Sequence, residues 1–197
     1  MNQAIRIIRD EHRSIAAVLS GLKSLAHMAK EGGRKPRFEV LRAMIHYIDE
    51  FPERLHHPKE DDYLFAHLLR RDEGARPLIE QLQAEHVQGA KLVRELEQAL
   101  AAAEAGSSED IARFAAVVDA YAEFHWKHMR AEEHDLIPRA EKALTAQDWA
   151  EIETAFAANQ DPIADLREQD FAALFQRIVA LAPDPVGLGA PWPKASG

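Results

Sequence analysis

Apolar residues in this chain recur at steps of three and four along most of its length, which commits it to α-helices. The clearest row is Ile111, Phe114, Val118, Tyr121, His125, His128 and Glu132, spaced 3, 4, 3, 4, 3, 4. A first helix carries Ile5, Ile8, His12, Ile15, Leu19 and Leu22, and Glu31-Gly32-Gly33-Arg34-Lys35-Pro36 breaks it. A second runs from about Arg37 with Leu41, Met44, Ile48, Phe51 and Leu55 in one row. Pro52 and Pro58 fall inside that pattern and predict bends. Helical character resumes through Tyr63, Leu64, Leu68 and Leu69 and stops near Asp72-Glu73-Gly74. A third helix opens at Pro77 and presents Leu78, Leu82, His86, Val93, Leu96 and Leu100. Ser108 is the expected N-cap of the fourth helix, after the turn Ala105-Gly106-Ser107, and Pro138 its expected end. Thr145 and Asp148 resemble a capping box that opens a shorter helix through Trp149, Ile152 and Phe156. Asp161-Pro162 interrupts it, a last helix follows from about Leu166 to Leu181, and the tail after Ala182 is rich in Pro and Gly.

No strand alternation appears, so the fold class expected is all-α. Short loops make consecutive helices antiparallel neighbours, which predicts an up-down-up-down four-helix bundle over residues 1–142. Residues 143–197 are expected to add two short helices and a tail packed on that bundle.

Composition narrows the function. The chain of 197 residues has 24 Lys plus Arg against 33 Asp plus Glu, a formal charge of −9, which argues against nucleic acid as a partner. Cysteine is absent, excluding disulfides, thiolate nucleophiles and Fe–S clusters. No apolar run approaches the roughly 20 residues of a membrane span, and the first residues lack a secretory pattern. A cytoplasmic protein without membrane association is expected. Nothing in the chain specifies an oligomeric state.

Against zero cysteines stand 10 histidines, and several replace an apolar residue on a helical row. His12 sits between Ile8 and Ile15, His86 continues from Leu82 to Val93, and His128 with Glu132 ends the fourth row. His56 follows Leu55, with Glu60 four residues on. His56/Glu60 and His128/Glu132 are therefore two copies of one device, an imidazole and a carboxylate one turn apart on one face. Buried carboxylates need a partner or a metal. Histidine and carboxylate without sulfur suit iron, manganese or zinc, and two carboxylates can bridge two ions. His57 competes with His56 for its place, Glu133 with Glu132, and His125 reads as a supporting partner. His27, His46 and His67 read as surface or boundary residues. Tyr63, Tyr121 and Trp126 near the proposed site read as core packing.

These residues carry a resemblance. His56-His57-Pro58-Lys59-Glu60 and His128-Met129-Arg130-Ala131-Glu132-Glu133, with Asp10-Glu11-His12 and Ala84-Glu85-His86, resemble the hemerythrin-like (HHE cation-binding) domains over about residues 3 to 142. The resemblance implies two iron ions, oxo- or hydroxo- and carboxylate-bridged, on His12, His56, Glu60, His86, His128 and Glu132, with zinc or manganese as alternatives. It implies as partners a small diatomic ligand (oxygen or nitric oxide) or peroxide, to be bound, sensed or chemically handled. Iron storage or delivery, a ferritin-like oxidase and a metal-free helical interaction protein are the alternatives. Oxygen carriers of the family place a second third-helix histidine four residues on; here that position is Ala90, after Gly89. The expectation is therefore an under-ligated ion at His86 facing space at Gly89 and Ala90.

Overall fold

The computed structural model describes residues 2–31 and 36–157, and among them every regular element is helical. The expected break at residues 32–35, the interruption at Asp161-Pro162, the last helix and the tail lie outside the described residues. Five long elements follow in order: α1 (Gln3–Lys30), α2 (38–71), α3 (Arg76–Ala105), α4 (108–143) and α5 (Ala146–Ala157). α1 starts under an Asn2 cap whose side chain accepts from the Ala4 amide at 2.9 Å.

The prolines of α2 and α4 do not stop these helices. α2 passes through π-helical stretches at Asp49–His56 and Glu60–Phe65, and α4 through one at Glu132–Leu136. Proline cannot donate to the carbonyl one turn back, and a wider turn absorbs that lost bond. Pro138, the expected end of α4, instead sits in the first turn of Ile137–Ala143, which carries the helix onward. Ser107, not Ser108, opens α4. Its amide donates to Asp110 Oδ2 at 2.8 Å, and only position 107 has an acid three residues on to close a capping box.

Charged pairs fix the helix directions. Arg42 meets Glu104 at 2.6 Å and Asp61 meets His86 at 3.1 Å, so α2 and α3 run antiparallel. His27 meets Asp119 at 2.9 Å and His12 meets Glu133 at 3.0 Å, so α1 and α4 do too. The expected rows are buried: Ile5, Ile8, His12, Ile15, Leu19 and Leu22 on α1, and Phe114 through Glu132 on α4. The core divides into two apolar blocks. One gathers Leu19, Leu22, Leu41, Met44, Val93, Leu96 and Phe114; the other gathers Ile5, Ile8, Leu64, Phe65, Leu82, Leu136 and Ile152. His12, His56, Glu60, His86, His128 and Glu132 fall between them along their helices.

α5 closes the second block with Trp149, Ile152 and Phe156. Its expected capping box forms: the Thr145 amide donates to Asp148 Oδ2 at 2.8 Å, and the Asp148 amide to Thr145 Oγ1 at 3.2 Å. Asp148 also receives Arg71 through two bonds of 2.8 and 3.0 Å and lies 3.3 Å from His67 Nδ1. His67 is thereby buried, against the surface position expected of it; its partner is 81 residues away, beyond the reach of local spacing.

Replacing Asp148 by Ala removes a cap and strands Arg71 and His67, so a loss of about 1–3 kcal/mol is expected in denaturant unfolding. The Arg71 guanidinium holds the Asp148 carboxyl well below its ordinary 3.8. Its contribution is therefore complete above that value and fades only as pH falls below it, and the Asp148→Ala deficit should shrink under acid conditions.

Candidate metal centre

Four helices each send one imidazole to the same buried level. His12 comes from α1, His56 from α2, His86 from α3 and His128 from α4, and all four are buried. They form two pairs. His12 Nε2 lies 3.0 Å from His56 Nε2, and His86 Nε2 lies 3.1 Å from His128 Nε2. Each opposite ring nitrogen, Nδ1, meets a carboxylate: Glu133 on His12 at 3.0 Å, Glu11 on His56 at 2.7 Å, Asp61 on His86 at 3.1 Å and Glu85 on His128 at 2.9 Å. A carboxylate on Nδ1 fixes the tautomer that leaves the Nε2 lone pair facing inward, the arrangement that supports metal-binding histidines.

Glu60 and Glu132 stand between the pairs. Glu60 Oε1 lies 3.4 Å from His56 and 3.9 Å from His12, while its Oε2 lies 3.7 Å from His86. Glu132 Oε2 lies 3.3 Å from His12, while its Oε1 lies 3.1 Å from His128 and 3.7 Å from His86. Each carboxylate thus gives one oxygen to each histidine pair. Both are fully buried, and none of their four oxygens makes a hydrogen bond of regular geometry, although imidazole nitrogens stand as close as 3.1 Å. Two groups result, His12/His56/Glu60/Glu132 and His86/His128/Glu60/Glu132, each with ligand atoms within 4.8 Å of one another and able to hold a metal ion. Adjacent ligands on an ion bonded at about 2.1 Å stand about 3 Å apart, so the nitrogen separations fit that use.

Protonation follows the same geometry. Burial, reinforced by the charge of Glu132, pushes Glu60 well above the usual carboxylate range. Glu132 is held well below it: burial opposes this, but His128, His12 and His86 prevail. Burial lowers His12 and His128, yet the carboxylates around them outweigh it and raise them to about 9 and about 10. Burial leaves His56 below its ordinary value. Without a cation, protons therefore occupy the inward-facing nitrogens of His12 and His128.

The six residues picked out on the helical rows are thus brought together. Of the rivals, Glu133 lies on the outer nitrogen of His12, and His57 groups with His86 and His128. His125 lies on Glu53, its Nε2 3.5 Å from Oε1, and packs against Tyr121. Tyr63 is 41% exposed, and Trp126 is packed at the edge of the core beneath Lys23. Ala90 is exposed, contrary to the inward position expected. Gly89 faces inward instead, one residue earlier, and a Cβ there would stand 2.8 Å from Glu53 Oε1. The space expected at this point is occupied by Glu53. Spacing alone offered Glu53 only as the Glu-x-x-His partner of His56, because its actual neighbours come from α2, α3 and α4 at once.

A family model described as the hemerythrin HHE cation binding domain matches residues 3–140. No curated protein gives a significant match to the chain.

A cation entering this centre must displace protons from His12 and His128, which titrate near 9 and 10. Metal uptake at pH 7 is expected to release protons, and apparent affinity to fall steadily as pH is lowered from about 9. Calorimetric titration in two buffers of different ionisation enthalpy measures the number released.

Proposed function

We propose, from the premise that this chain belongs to the hemerythrin HHE cation-binding domain family, that it holds two iron ions and uses them on a small oxidant or diatomic molecule. The class comprises oxygen, nitric oxide and peroxide, to be sensed, bound or chemically handled. The observation that carries this reading is the state of Glu60 and Glu132. Both are fully buried, each divides its oxygens between two histidine pairs, and the imidazole nitrogens that converge on them are their nearest polar neighbours from the four helices. His12 and His56 would hold one ion and His86 and His128 the other, with Glu60 and Glu132 within reach of both. The scaffold is read as an up-down-up-down four-helix bundle, supported by the antiparallel pairs α1/α4 and α2/α3.

Bound iron would supply redox activity and exchangeable ligand positions. The chain's own residues do the rest. Glu11, Asp61, Glu85 and Glu133 orient the imidazoles, and Lys59, 3.4 Å from Glu11, steadies one of them. Phe65 stacks on His86 at 5.7 Å and walls that side with apolar surface. Manganese and zinc accept the same donors. A ferritin-like site is less well supported, because Glu53 of Glu53-Arg54-Leu55-His56 turns to His57 and His125. A metal-free interaction protein is less well supported by two orphaned buried carboxylates.

Protein from iron-supplemented cells is expected to carry two ions per chain by elemental analysis. Glu60→Ala and Glu132→Ala should lose metal, and free metal about 100-fold above its dissociation constant should stabilise the wild type by about 2.7 kcal/mol. A stoichiometry near zero for every transition metal would overturn the proposal. The absorption spectrum of the reduced protein before and after oxygen separates reversible binding from irreversible oxidation.

A further inference from the structure

Helix α5 follows the stretch shared with the family, which ends at residue 140, and it packs on two elements that carry the centre. One is α1, which holds His12; the other is the π-helical stretch Glu60–Phe65 of α2. The first turns of α5 are held by polar contacts, Asp148 to Arg71 at 2.8 Å and Glu151 to His67 Nε2 at 3.3 Å. Its far end is held differently. Phe156 is buried, and the Lys59 ammonium stands over its ring, 5.2 Å from the centroid. A cation within about 6 Å of an aromatic face is attracted to it. The same ammonium lies 3.4 Å from Glu11 Oε1, and Glu11 Oε2 lies 2.7 Å from His56 Nδ1. Phe156, Lys59, Glu11 and His56 thus form an unbroken line from α5 to an imidazole of the centre.

The line runs through shielded positions. Lys59 is 11% exposed, and Glu11 at 12% is the least exposed of the four outer carboxylates, so salt and water screen these contacts weakly. A cation on Nε2 of an imidazole draws electron density from the ring and makes its Nδ1–H a stronger donor. Occupancy at His56 therefore tightens the bond to Glu11, and Glu11 in turn keeps the Lys59 ammonium on the Phe156 face. α5 itself is a single helix of 12 residues packed on one side of the molecule, the kind of unit that opens ahead of the whole fold.

We propose that the seating of α5 is coupled to occupancy of the ion on His12 and His56 through Lys59 and Glu11, so that α5 docks more firmly when that ion is bound. This rests on the two-ion reading above. Lys59 is a positioning residue, acting on His56 through Glu11, and Phe156 makes α5 sensitive to it. A helix that supplies no ligand then reports the state of the centre at the surface. The coupling is reciprocal: the factor by which the ion favours seating is the factor by which seating favours the ion.

The test is backbone amide exchange of the full chain, read by mass spectrometry without metal and with saturating Fe²⁺ under anaerobic conditions, with stoichiometry by elemental analysis. Without metal, amides of residues 152–156 should exchange faster than those of 96–103 in the other apolar block, because α5 opens on its own. Fe²⁺ should slow exchange at 152–156 by about tenfold, the low end of what an outer partner of a ligand contributes to affinity. Lys59→Met keeps the apolar stem and removes the charge, and Phe156→Leu keeps apolar bulk and removes the ring face. In each variant the Fe²⁺ effect at 152–156 should vanish, and one of the two binding steps should weaken by about tenfold while the other is spared. The proposal is overturned if the wild type binds two ions and exchange at 152–156 does not change. It is also overturned if both variants keep the wild-type slowing, or if they lose affinity while keeping it, which marks Lys59 as a support for Glu11 alone. Exchange at 152–156 no faster than at 96–103 without metal overturns it too, since α5 then has no opening of its own. Fewer than two ions on the wild type refutes the two-ion centre itself, and the coupling with it.

Discussion

Two buried carboxylates whose only polar neighbours are four imidazoles and each other set the terms for the middle of this molecule. Glu60 and Glu132 are buried between two apolar blocks, where a bare charge is costly. A protein can relieve that cost with a proton, a paired cation or a metal. Here the protons are available from the histidines, and the four Nε2 atoms converge on the same oxygens. Every other polar feature of the centre follows from keeping those nitrogens in place. The outer carboxylates Glu11, Asp61, Glu85 and Glu133 sit on the far side of the imidazoles, all of them partly exposed.

The backbone of α2 and α4 is shaped to present that pair. Glu60 and Glu132 each stand at the first residue of a π-helical stretch, four residues after His56 and His128. The wider turn has a packing consequence. After Glu132, the residues that return to the core are Leu136, Ile137 and Ala140, and after Glu60 they are Leu64, Phe65 and Leu68. The helix therefore spends one turn on chemistry and resumes its apolar seam without a loop. Proline at 52, 58 and 138 belongs to the same device, because each removes an amide that a regular turn would need.

Much of this was legible in the sequence because it depends on spacing along one helix. The rows of α1 and α4, the His-x-x-x-Glu devices and the Thr145–Asp148 cap need nothing beyond the period of 3.6 residues. What spacing misread depends on other helices or on phase. Ala90 and Gly89 differ by about 100° around α3, and the inward row His86, Gly89, Val93 takes the step of three where the resemblance suggested four. His67 looked peripheral because Asp148, its partner, lies on α5. Glu53 stands three residues before His56, the spacing of a ferritin-like Glu-x-x-His pair, yet it turns to His57, His125 and the bare backbone of Gly89.

Proton and metal compete for the same atoms in this centre, and that shapes how the fold depends on its ions. With no cation bound, His12 and His128 carry protons at neutral pH, and burial with the charge of Glu132 pushes Glu60 toward its protonated form. The ionised Glu132 then faces cationic imidazoles, so the buried charge is already offset. A metal replaces those protons with a stronger, geometrically stricter partner. Loss of the ions therefore lowers stability without leaving a naked charge, while the apolar blocks on either side stay intact. A centre built this way can lose and regain its ions within a standing scaffold, whereas a site with no proton-loaded state would unfold each time it emptied.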